Sequence, residues 1–188
     1  MKTLMPFVTS AFLMLLGLSG NSEQIKFLEC LDEQQAEFVE VIVEKFNDQL
    51  RQQYGELDYE KFLNDMSNMA LPLDFFVTSD LAEFLNKSRN KPSFKDIWVQ
   101  NNGAFELNPD GKYFNCLKSV CNSETLCEVL STMDQFRMIS RGLIAGALAS
   151  ELPDEQYNAK DIRIFIAINL YAELSINLYN RFKNQVII

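Results

Sequence analysis

Four cysteines carry the most definite chemistry in this chain: Cys30, Cys116, Cys121 and Cys127. An even count in an exported chain points to two disulfides. Sequence leaves three pairings open. A bond from Cys30 to the later cluster closes a loop of about ninety residues, for which the chain-entropy model gives about 4.5 kcal/mol. A local bond over about six residues gives about 2 kcal/mol. We expect one long-range bond from Cys30 and one local bond within the cluster. The last three cysteines read C-x4-C-x5-C, which matches neither the paired ligands of zinc sites nor a redox C-x-x-C. Free, buried thiols are the alternative to disulfides.

A second group is Asn169, Glu173, Asn177 and Arg181, at successive steps of four. On a helix this spacing makes one narrow polar stripe along an otherwise apolar element. The simplest expectation is that the stripe faces water. If it faces inward, its polar groups need partners. Arg137 and Arg141, one turn apart on the preceding helix, are the candidates. The seam of Arg137, Arg141, Asn169, Glu173 and Asn177 is then a structural clamp or the polar end of a ligand pocket.

Other chemistry is missing. The chain has no His. That excludes Ser-His-Asp and Cys-His catalysis, a His-ligated metal, and a His switch near neutral pH. Carboxylate pairs such as Glu37 with Glu40, or Asp154 with Glu155, are not tied to a nucleophile or an oxyanion donor. Asn108, Asp110 and Gly111 match part of a calcium loop, but Leu117 stands where the bidentate Glu belongs. No residue is assigned to catalysis, a cofactor or a metal.

The elements that must position these residues read as mainly α. Residues 22–54 lack Gly and Pro and carry Leu28, Leu31, Phe38, Ile42 and Phe46 at helical spacing, ending at Gly55. A second helix runs from Tyr59 to Met69 and stops at Pro72. Leu73 to Val77 is apolar enough to cross the core. Ser79 caps a helix reaching Arg89, which contains the glycosylation triplet Asn86-Lys87-Ser88. Ser93 to Asp96 resembles a capping box ahead of Ile97 and Trp98. Phe105 and Leu107 alternate before Asn108-Pro109-Asp110-Gly111, a hairpin signal. From Ser123 one helix runs through Phe136 and Ile139 to Leu148, and Gly142 and Gly146 offer a surface for close helix packing. The segment from Asn158 to Asn184 is apolar at every even position from Ile162 to Leu178, which is a strand's period. Its length and lack of turn residues favour a helix, central and the most buried. The expected fold is a compact, disulfide-stabilised bundle of five or six helices with a small β-hairpin near 104–116.

Lys2, the apolar run from Phe7 to Leu18, and the small residues Gly17, Ser19 and Gly20 match a cleavable secretory signal. Residues 1–20 are read as that signal, cut after Ser19 or Gly20, and 21–188 as one helical domain. An uncleaved anchor is the alternative. Arg163, Asn169 and Glu173 argue against a membrane span in the last helix. The expected location is secreted or periplasmic.

The net charge is −9. That disfavours nucleic acid and anionic membranes and suits a basic partner. Three functions stay open. The first is a non-enzymatic protein-interaction protein, inhibitor-like in form, binding another exported protein with a basic surface. Its mark would be a contiguous apolar patch with an acidic rim. The second is a carrier of a small apolar ligand, suggested by fifteen Phe and seven Met, which would need an enclosed apolar cavity. The same residues otherwise make a Phe-rich helical core. The third is a hydrolase using two facing carboxylates.

Overall fold

The computed structural model describes Phe27 and residues 29–77, 80–136 and 139–185, the last three by backbone alone. The signal segment 1–20, Leu28, the Ser79 cap and Arg137 lie outside the described residues.

Helix α1 spans Glu33–Tyr54. It starts later than the apolar spacing alone suggests, because Asp32 and Gln35 form a reciprocal capping box that sets the first turn. Gly55, at φ 83°, ends it in the left-handed conformation. Next come α2, Tyr59–Ser67, capped by Asp58, and the short α3, Leu73–Val77, which buries Phe75 and Phe76. Helix α4 covers Asp80–Ser88 and α5 covers Pro92–Ile97.

A hairpin forms here, one step earlier in the chain than its turn signal suggests. Strands β1, Trp98–Asn101, and β2, Ala104–Leu107, pair antiparallel across Asn102-Gly103. These two turn residues have φ of 49° and 84°, the positive pair that a two-residue hairpin turn needs. The Asn108–Gly111 turn instead leads from β2 into α6, Lys112–Val120. Asp96 does not complete a capping box with Ser93. Its carboxylate accepts the Lys112 and Tyr113 N–H groups at 2.7 and 2.9 Å and so caps α6 from a distance. Gly111 permits this approach, since a Cβ there would lie 1.9 Å from the Asp96 carbonyl oxygen.

The helix expected from Ser123 to Leu148 is two helices, α7 at Glu124–Gln135 and α8 at Arg141–Glu151. Residues 136–140 between them contain neither Gly nor Pro, and the helices pack against each other. Helix α8 also packs closely on α2: a Cβ on Gly146 would meet Ser67 at 3.5 Å. The small residues of α8 therefore serve close packing inside the bundle, as expected.

The last element is helical. Helix α9, Lys160–Phe165, continues through a π-helical stretch, Ile166–Ala172, into α10, Glu173–Gln185. Every residue from Ile164 to Glu173 is buried. The region Lys160–Phe182 is long and apolar enough to cross a membrane, but 72% of its most apolar window is buried in the protein. Burial on all sides explains why its sequence satisfies a strand's alternation as well as a helix's period. Around Tyr171 the aromatics pack on one another: Phe46 lies 4.6 Å from it, Phe75 5.3 Å and Phe76 5.8 Å between ring centres.

Two disulfides hold this arrangement. Cys30–Cys116 ties the start of the described chain to α6, and Cys121–Cys127 ties the end of α6 to α7. One is long-range and one is local, as expected. Mainly α architecture, the small hairpin and disulfide support all follow the sequence reading.

Candidate functional site

The polar stripe faces inward, not toward water. Asn169 is fully buried and Glu173 is 6% exposed, while Arg181 at the end of the row is exposed. The expectation of a solvated stripe fails because neighbouring elements cover this face of the helix. Helix α6 supplies Tyr113, the hairpin lies across the next turn, and α8 brings in Arg141.

Asn169, Glu173 and Asn177 each have a defined partner. Asn169 Nδ2 donates to the Tyr113 hydroxyl at 2.8 Å and to the Phe165 carbonyl at 3.3 Å. Glu173 pairs with Arg141 through Oε1 and Nη2. Asn177 accepts the Phe105 N–H and donates to the Phe105 carbonyl, both at 2.7 Å. Of the residues the sequence reading grouped, Arg141 and Glu173 pair with each other, while Asn169 and Asn177 bond to other partners. That reading missed Tyr113 and the Phe105 backbone, whose separations of 56 and 72 residues leave no local trace.

Burial pushes the Glu173 carboxyl up from its ordinary 4.5 to about 7. The Arg141 guanidinium pulls it down, and Glu106 on β2 adds to the rise. The Tyr113 hydroxyl is pushed up by burial as well. The seam thus holds one buried carboxyl clamped by one arginine.

Arg141 connects the seam to the surface. Its side chain is 18% exposed, and Nη1 donates to the Ile139 carbonyl at 3.2 Å. It forms one wall of an open cleft of about 230 Å³ with Glu106, Leu107, Phe114, Met133 and Phe136. A second open groove, about 210 Å³, runs between α7 and α8 past Val129, Ile144 and Ala147. Ile139 lines both, so the two hollows share one surface. On that surface stand Phe136 at 62% exposure, Leu143 at 71% and Val99 at 40%. Glu106, Glu128 and Glu151 are set around it. The sequence reading ran one helix through Phe136; that helix ends at Gln135 instead, and Phe136 and Leu143 are exposed.

The remaining candidates do not converge. Glu37 is exposed, and Glu40 pairs with Lys160 at 3.4 Å. Asp154 and Glu155 lie exposed in the 3₁₀ turn Asp154–Asn158. Among the described residues, no group of three or more Cys, Asp and Glu could hold a metal ion. Two further open clefts, about 390 and 340 Å³, lie beside Lys160, lined by mixed polar and apolar residues.

The chain matches no family model, no curated protein and no solved structure.

Proposed function

We propose that this chain is an exported binding protein, without catalytic chemistry of its own, that grips another protein through the surface around Phe136 and Leu143. One observation carries the reading. Large apolar side chains, Phe136 and Leu143, stand exposed at two clefts that share Ile139, on a chain of net charge −9, with carboxylates lining the same clefts. An apolar centre with a polar rim is how protein interfaces are built. Export is supported by the signal-like segment 1–20 and by the two disulfides, which persist in oxidising compartments. The secreted or periplasmic location is part of this proposal.

A carrier for a small apolar ligand has less behind it. The aromatic side chains it would need pack on one another around Tyr171, and the clefts described above open to solvent.

The test is a native mass spectrum of the unreduced protein purified gently from its source, alone and as Leu143→Asp. The expected wild-type chain lacks its signal segment and four hydrogens, and carries a bound protein that Leu143→Asp loses. A bound protein retained by the variant, or a chain bearing only a small apolar molecule, overturns the reading.

A further inference from the structure

We infer that the groove between α7 and α8 seats a basic amphipathic helix of a partner protein, apolar face on Val129, Ile139 and Leu143, with its Lys or Arg end over Glu128 and Glu151. This rests on the binding-protein reading and adds the shape and polarity of the occupant.

Shape comes first. Helices α7 and α8 run antiparallel. The Thr125 hydroxyl at the start of α7 donates to the Glu151 carbonyl at the end of α8, and Phe136 and Ile139 mark the opposite end where the chain turns. Twelve residues of α7 give a trough about 18 Å long. Two parallel ridges with an apolar floor accept a third helix, which presents side chains at steps of three and four.

The groove is also polarised along its length. Leu143, Ile139 and Phe136 gather at the turn. Glu128 and Glu151 stand at the other end, joined in sequence by exposed Glu124, Asp154 and Glu155. No Lys or Arg occurs in residues 119–136 or 142–159. Among the described residues, neither Glu128 nor Glu151 has a cation in an ion pair with it, and both stand at the rim of a surface where Leu143 is 71% exposed. A partner helix with apolar residues toward one end and cations toward the other satisfies both halves, and the charge fixes its direction.

The test uses three synthetic peptides of about fifteen residues, long enough to span the trough. One is a helix former with Leu at helical spacing and Lys at one end. The second has the same composition without the periodicity. The third carries Glu in place of Lys. Each is titrated into the isotope-labelled full chain, with resonance shifts followed residue by residue. The expected result is saturable binding of the first peptide, with shifts at Val129, Leu143 and Ala147. Binding should weaken about tenfold or more in Leu143→Asp and about fivefold in Glu128→Lys/Glu151→Lys. Both altered positions are exposed, and an unchanged circular dichroism spectrum shows that the variants fold. Equal binding of the aperiodic or acidic peptide, or shifts away from α7 and α8, overturns the inference. If Leu143→Asp releases the natural partner yet the basic peptide misses the groove, the occupant is wrong while the binding-protein reading stands. If the natural partner also stays bound to Leu143→Asp, that reading falls too.

Discussion

The side-chain amide of Asn177 pairs with both backbone groups of Phe105, each at 2.7 Å, as a neighbouring strand would. A helix thereby anchors the edge of a two-stranded hairpin that has no third strand. The pairing also holds β2 over the Arg141–Glu173 ion pair.

Replacing Asn177 by Ala leaves the Phe105 N–H and C=O half-buried and unpaired. The expected cost is about 2 to 4 kcal/mol in urea unfolding, from two unsatisfied groups. Hydrogen exchange at Phe105 should rise while exchange in α2 is unchanged. Protection of Phe105 retained in the variant would mean that the hairpin stands without this anchor.

Glu173 makes stability depend on pH. Its carboxyl titrates at about 7 when folded, against an ordinary 4.5. Between those values the folded chain keeps a proton that the unfolded chain gives up. This group's contribution to stability therefore declines as pH rises through the window, by up to about 3 kcal/mol. Arg141, Glu106 and Tyr113 are the charged or titratable groups facing it. Glu173→Gln should flatten the stability profile between pH 5 and 8. A parallel slope in both proteins would assign the dependence elsewhere.

Arg141→Ala is expected to act in the opposite sense to the Gln change. It removes the cation that favours the ionised carboxyl, so the loss of stability is greatest at alkaline pH, about 3 to 5 kcal/mol. Denaturant midpoints at pH 5 and pH 8 give the comparison.

The two disulfides should differ in weight. Cys30→Ser/Cys116→Ser opens a separation of 86 residues and is expected to cost about 4.5 kcal/mol, against about 2 for Cys121→Ser/Cys127→Ser, whose separation is 6. Equal shifts in the unfolding midpoint would show that the loop term does not govern.

Gly111→Ala should be among the more damaging small changes, at about 1 to 3 kcal/mol. Its φ of −71° is ordinary, so the fault is the contact with the Asp96 carbonyl and not the backbone conformation. Asp96→Ala loses two N–H partners at the start of α6 and is expected to cost about 1 to 2 kcal/mol. Thermal unfolding of each variant checks both.

What was legible follows from range. The buried last helix showed in its apolar density, and the i, i+4 row of Asn169, Glu173 and Asn177 showed its grouping. Which way that row points depended on Arg141, 32 residues earlier, and on Phe105, so spacing could not decide it. Asp32 and Gln35 did carry a start signal for α1, obscured because Leu28 and Leu31 before it continue the helical spacing of Phe38 and Ile42. Asn102-Gly103 is the hairpin turn, and the Asn108–Gly111 segment carries a competing turn signature in Pro109 and Gly111. The corner between α7 and α8 left no sign, because neither Gly nor Pro marks it.

The Cys30–Cys116 bond has a topological consequence for how the chain responds to proteolysis. It closes residues 31–115 into a covalent ring that contains α1 through β2. A single cut anywhere in that ring leaves both pieces joined through sulfur, so a nicked molecule keeps its mass on a non-reducing gel. Only a second cut inside the ring, or reduction, would let a fragment leave.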